Sequence, residues 1–131
     1  ATSKPFVFLT SNSTRELGEA LRRRCLHLYI SFPEQGLERE IVLTRVPGIS
    51  ERLTRQLVSF IHQVRKLDIK KLPSVSETID WAKTLVILHA ETLDKEMVRE
   101  TLNTFLKAQE DIRVTEDKLY ALTEHAIREA N

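Results

Sequence analysis

The sequence predicts a mainly α fold in which two short β-strands flanking one helix precede a larger helical bundle. Three observations predict it. From Glu34 onward, apolar residues recur at three- and four-residue spacing through nearly all of the remaining chain. Before Glu34, residues 6–9 and 25–32 carry strand patterns instead. Only 3 glycines and 4 prolines occur in 131 residues. A sandwich or barrel would need a turn signal every ~8–12 residues.

Each element has a local reason. Lys4 and Pro5 lead into Phe6, Val7, Phe8 and Leu9, a continuous apolar run of the kind buried on both faces in parallel sheets. A strand so near the first residue suggests a piece of a longer protein, with sheet neighbours from elsewhere. Thr10, Ser11 and Asn12 end it. Ser13 and Glu16 have capping-box spacing for a helix from Thr14 to about Arg24. In 25–32, Leu26, Leu28 and Ile30 alternate with His27, Tyr29 and Ser31, the two-residue strand period, and Pro33 stops the run.

Leu37, Ile41 and Val42 mark the next helix, which ends at Pro47 and Gly48. Ser50 caps a helix bearing Leu53, Leu57, Phe60, Ile61 and Val64. Lys70, Lys71, Leu72 and Pro73 form a basic linker. Ser74 and Glu77 repeat the capping-box spacing before Ile79, Trp81, Leu85 and Leu88. Asp94 caps a helix with Val98, Leu102 and Phe105, and Thr115 is expected to cap the last, with Val114 and Leu119 as its staple. Five helices are thus expected after Pro33.

Composition narrows the function classes. The single cysteine excludes a disulfide framework and a Cys-based zinc site, and fits a reducing compartment. The expectation is a cytoplasmic protein with no membrane span, since no apolar run approaches ~18–20 residues and no signal peptide is evident. The net charge of +1 hides an asymmetry. Residues 1–73 hold 13 Lys/Arg against 7 Asp/Glu, and residues 74–131 hold 7 against 12. Such a split suits a basic face with an anionic partner, or complementary surfaces.

No glycine-rich phosphate cradle is present, the four histidines are scattered, and no nucleophile–base pair can be argued. No metal site is expected. Two features stand out. Asn12 lies where a buried strand would end, the edge at which α/β sheets bind ligands; equally, it could simply begin a turn. Arg22, Arg23 and Arg24 suit a helix C-terminus, and arginine also makes bidentate contacts to phosphate.

Residues 5–33, PFVFLTSNSTRELGEALRRRCLHLYISFP, resemble the second half of an AAA+ ATPase core. The combination of LTSN and RRRC is similar to the MoxR branch, and most of all to members grouped with carbon monoxide dehydrogenase maturation factors. The stretches PGISERLTRQLVSFIHQVRKLD and PSVSETIDWA resemble the helical lid of those proteins. The resemblance implies two regions: residues 1–33 as the end of the α/β core, and 34–131 as the lid.

The resemblance implies that Asn12 is sensor 1, orienting the attacking water, and that Arg24 is the arginine finger, with Arg23 as the second candidate. Ser76 and Glu77 fall in the segment that holds sensor 2, where Ser76 replaces the family's arginine. ATP and Mg would be cofactors of the parent. Walker A and Walker B motifs do not occur in this sequence, so the chain alone is expected not to hydrolyse ATP. The family implies a hexamer, a chaperone-like remodelling or metal-cofactor-insertion role, and a von Willebrand factor A-like partner. By itself the chain is expected to self-associate, as a swapped or edge-to-edge dimer. The rival readings are a helical interaction module and a nucleic-acid-binding domain. The second is disfavoured because aromatic residues do not interleave with its basic patches.

Overall fold

The computed structural model describes residues 3–10 and 18–130. The fold is mainly helical, with seven helices among these residues: α1 (Glu19–Arg24), α2 (Gln35–Arg45), α3 (Glu51–Val64), α4 (Val75–Ile87), α5 (Lys95–Phe105), α6 (Gln109–Asp117) and α7 (Leu119–Ala130). The chain divides into two units, Ala1–Ser31 and Phe32–Asn131.

The first unit corrects the two expected strands. Residues 6–9 and 26–30 form no strand among the described residues. Their apolar side chains stay in solvent: Phe8 is 89% exposed and Leu28 84%. The physical reason is that a strand needs a neighbour to receive its N–H and C=O groups. None is paired with either stretch, so strand-forming composition stays irregular. The helix expected from Thr14 appears as α1, six residues with none buried. Its expected cap, Ser13 with Glu16, lies outside the described residues.

The second unit is built around α3. Leu53, Leu57, Phe60, Ile61 and Val64 are buried along it, and α2, α4 and α7 pack on it. Its start follows the expected chemistry, with the Ser50 hydroxyl accepting from Leu53 N at 3.1 Å. In α4 both halves of the capping box form: Glu77 N donates to Ser74 Oγ at 3.4 Å, and Ser74 N to Glu77 Oε2 at 2.7 Å. Asp94 caps α5 by accepting from Met97 N at 2.9 Å. Gly48, at φ +86°, makes the left-handed turn after α2.

Phe60, Trp81 and Phe105 meet at the centre. Ring centroids are 5.4 Å apart for Phe60–Trp81, 6.1 Å for Phe60–Phe105 and 4.5 Å for Trp81–Phe105. Burying each such side chain contributes ~1.5–3 kcal/mol. The indole N–H, which could not be left unpaired there, donates to Thr101 Oγ1 at 2.8 Å.

Two expectations about the helices are corrected. Thr115 does not cap the last helix. It lies inside α6, fully buried, and its hydroxyl donates to the Asp111 carbonyl at 2.9 Å. The region after Pro33 therefore holds six helices rather than five. Helix α6 escaped notice because its N-cap, Ala108, has no capping side chain. In α2, Leu37 is half-exposed and Glu38 takes the inward position with Val42.

Candidate functional site

The sequence-predicted site residues fall in different places. Asn12 lies outside the described residues. Arg22, Arg23 and Arg24 form the last turn of α1 and are exposed. Arg23 Nη2 donates to Glu19 Oε1 at 2.7 Å across one helical turn, an exposed pair contributing little. Arg24 forms no ion pair or side-chain hydrogen bond among the described residues. Cys25, immediately after it, is exposed and free. Ser76 and Glu77 share the first turn of α4 in the second unit. Ser76 is exposed, whereas Glu77 is engaged by the Ser74 amide and by Lys71 Nζ at 3.7 Å.

That geometry bears on nucleotide binding. A helix N-terminus attracts anions through its free amides, but the Glu77 carboxylate already sits against the first turn of α4. An open groove of about 360 Å³ lies between α2 and α3. It is lined by Arg39, Arg55, Glu40, Glu51 and Thr54, so two carboxylates offset two guanidinium groups. No group of three His, Cys, Asp or Glu among the described residues could hold a metal ion.

The most polar buried assembly is one the sequence reading missed. Glu38 of α2 is fully buried. Its Oε1 accepts from Arg65 Nη1 at 2.7 Å and lies 3.5 Å from His62 Nε2. Its Oε2 lies 3.4 Å from Thr78 Oγ1, whose one proton is shared with the nearer Ser74 carbonyl at 3.1 Å. Arg65, just past the end of α3, has a side chain only 6% exposed. Its Nε donates to the Pro73 carbonyl at 2.9 Å, and its guanidinium carbon lies 4.3 Å from the centre of the Phe32 ring. One arginine thus ties together α2, the linker before α4, and the residue with which the helical unit begins. Burial holds the His62 imidazole below its ordinary pKa; Glu38 opposes this, and Arg65 and Lys66 add to it.

Two further polar anchors fasten the unit. Asp111 of α6 is buried and accepts the backbone amides of Lys70 at 2.8 Å and Lys71 at 3.0 Å. The basic linker is therefore held by its backbone, while Lys70 Nζ pairs with Glu110 at 2.8 Å, which raises the Lys70 pKa. Gln56 Oε1 accepts from Leu93 N at 2.8 Å and Thr92 Oγ1 at 3.0 Å, tying α3 to the turn before α5. On the α7 side of α3, the Ser59 hydroxyl donates to the Glu129 carboxylate.

No helix among the described residues is long and apolar enough to cross a membrane. No family model, curated protein or solved structure matches the chain.

Proposed function

We propose that the chain is the C-terminal portion of a MoxR-type AAA+ ATPase, close to the carbon monoxide dehydrogenase maturation branch. In that reading it contributes sensor 1, the arginine finger and the lid. The observation that carries the reading is the order of features along the sequence: LTSN, then RRRC, then a helical region containing PSVSETIDWA. Residues 6–9 and 26–30 would be core strands once a central strand lies between them. Their solvent-exposed apolar side chains accord with segments that await such a neighbour.

Arg24 is the finger in this reading. Its exposure at the end of α1, without an intramolecular partner among the described residues, suits a cation that stabilises phosphoryl charge in a neighbouring subunit. Arg23 is the second choice, because Glu19 already engages it. Asn12 orients the attacking water, and Ser76, in the first turn of α4, carries no sensor-2 charge. The parent is a hexameric, cytoplasmic, chaperone-like ATPase that remodels a client or inserts its metal cofactor, with a von Willebrand factor A-like partner. This chain alone turns over no ATP.

The test is Arg24→Ala in the intact ATPase. Hydrolysis is expected to fall by ~10³-fold or more while nucleotide binding is retained. Mixing Arg24→Ala subunits with Walker-B mutants is expected to restore part of the activity. Full hydrolysis by Arg24→Ala would remove the finger assignment. A second reading, a helical interaction module, is favoured by the irregular backbone of 6–9 and 26–30. Micromolar binding of Mg-ATP by the assembled parent in calorimetry would exclude it.

A further inference from the structure

We propose that Phe32 is a tertiary clamp on the first turn of α2, standing in for a capping side chain, so that a displacement of the chain entering the helical unit is passed to the buried Glu38. Helices α3, α4 and α5 each begin under a side-chain cap, from Ser50, Ser74 and Asp94. The N-cap of α2, Glu34, supplies no such bond. A first turn without a cap keeps unpartnered amides and opens more readily. Arg65 holds this end from outside the helix.

Arg65 reaches α2 on both sides of its start. Before the helix, its guanidinium carbon lies 4.3 Å from the centre of the Phe32 ring. Within the first turn, its Nη1 donates to Glu38 Oε1 at 2.7 Å. Its Nε donates to the Pro73 carbonyl at 2.9 Å, so a contact outside α2 also fixes the guanidinium. The link from the ring to the helix is stiff. Phe32 precedes Pro33, which confines Phe32 to extended backbone and has its own φ locked. Placing the Phe32 ring therefore places Glu34, whose carbonyl accepts the Glu38 amide at 3.0 Å. Glu38 thus has its amide set by the chain before the helix and its carboxylate set by Arg65. Phe32 is the first residue of the helical unit, so a displacement arriving along the chain meets this ring before it meets α2. This inference does not rest on the ATPase reading.

The test is amide hydrogen exchange of the full chain by NMR. It compares the Glu38 amide with the Val46 amide, which donates to the Val42 carbonyl at the other end of α2. Phe32→Ala is expected to quicken exchange at Glu38 about two- to fivefold, the loss of one partly exposed stack, with Val46 unchanged. Phe32→Leu keeps an apolar side chain without the stack and is expected to behave like Phe32→Ala. Phe32→Trp supplies the better ring and is expected to hold Glu38 at or below the wild-type rate. Phe32 is 43% exposed, so these variants leave the buried core intact. An unchanged Glu38 rate in Phe32→Ala would overturn the clamp. Equal quickening at Glu38 and Val46 would do the same, since it marks opening of the whole unit. Wild-type protection in Phe32→Leu would also sink it, because the aromatic face would then not be what Arg65 holds.

Discussion

Replacing Arg65 with methionine keeps most of the apolar stem and removes the charge. It deletes the 2.7 Å contact to Glu38, the 2.9 Å bond to the Pro73 carbonyl and the guanidinium over Phe32. Glu38 remains fully buried, with only the Thr78 hydroxyl at 3.4 Å and His62 at 3.5 Å. Leaving one partner of a buried ion pair uncompensated costs ~3–5 kcal/mol. That is a large share of the ~5–15 kcal/mol that holds a domain folded. The assay is urea unfolding followed by fluorescence of Trp81, the sole tryptophan and fully buried. With a slope of ~1–3 kcal/mol per molar urea, the midpoint should fall by on the order of 2 M. The double variant Glu38→Met/Arg65→Met removes both charges and should recover to within ~1 kcal/mol of the wild type. A loss below ~1 kcal/mol in Arg65→Met, or a double variant no more stable than the single one, would refute the claim that this pair is desolvated and mutually dependent.

Acidification gives a second test. His62 is held below its ordinary pKa in the folded chain, so the unfolded chain binds more protons in the window between the two values. Its contribution to stability is complete above ~6.5, declines as pH falls from there toward the folded value, and then levels off. Urea midpoints measured across that window should show the decline in the wild type but not in His62→Gln; a rise on acidification would be the wrong sign. Asp111→Ala should cost ~2–4 kcal/mol by stranding the amides of Lys70 and Lys71, two bonds to a charged acceptor at ~1.5–3 kcal/mol each before relaxation. Amide exchange at those two residues should quicken, and unchanged protection would count against the anchor. The exposed apolar side chains of residues 6–9 and 26–30 should drive self-association. Light scattering over a dilution series should show masses above 15.2 kDa, while Phe8→Glu with Leu28→Glu should return a monomer.

What the sequence determined by itself is the local chemistry of the helices. Ser50, Ser74 with Glu77, and Asp94 each cap the helix that follows them, because a cap needs partners only two or three residues away. The aromatic core was legible for a similar reason: Phe60, Trp81 and Phe105 lie on apolar faces whose spacing is visible in the chain. The finger candidates Arg23 and Arg24 could be named from the sequence, and their exposure at the end of α1 came from the structure. Tertiary structure alone decided the fate of charges and of strand-like segments. Glu38 reads as one more surface carboxylate until Arg65, 27 residues on, closes over it. Asp111 reads as a first-turn acid of α6 until the linker 41 residues earlier presents its amide. A charge enters the interior only when its compensating group arrives from elsewhere in the chain, and spacing along a sequence does not encode that meeting. Residues 6–9 and 26–30 show the converse. Their pattern suits strands, but the hydrogen-bonding neighbour that makes a strand is a tertiary partner, and without one the pattern produces no sheet.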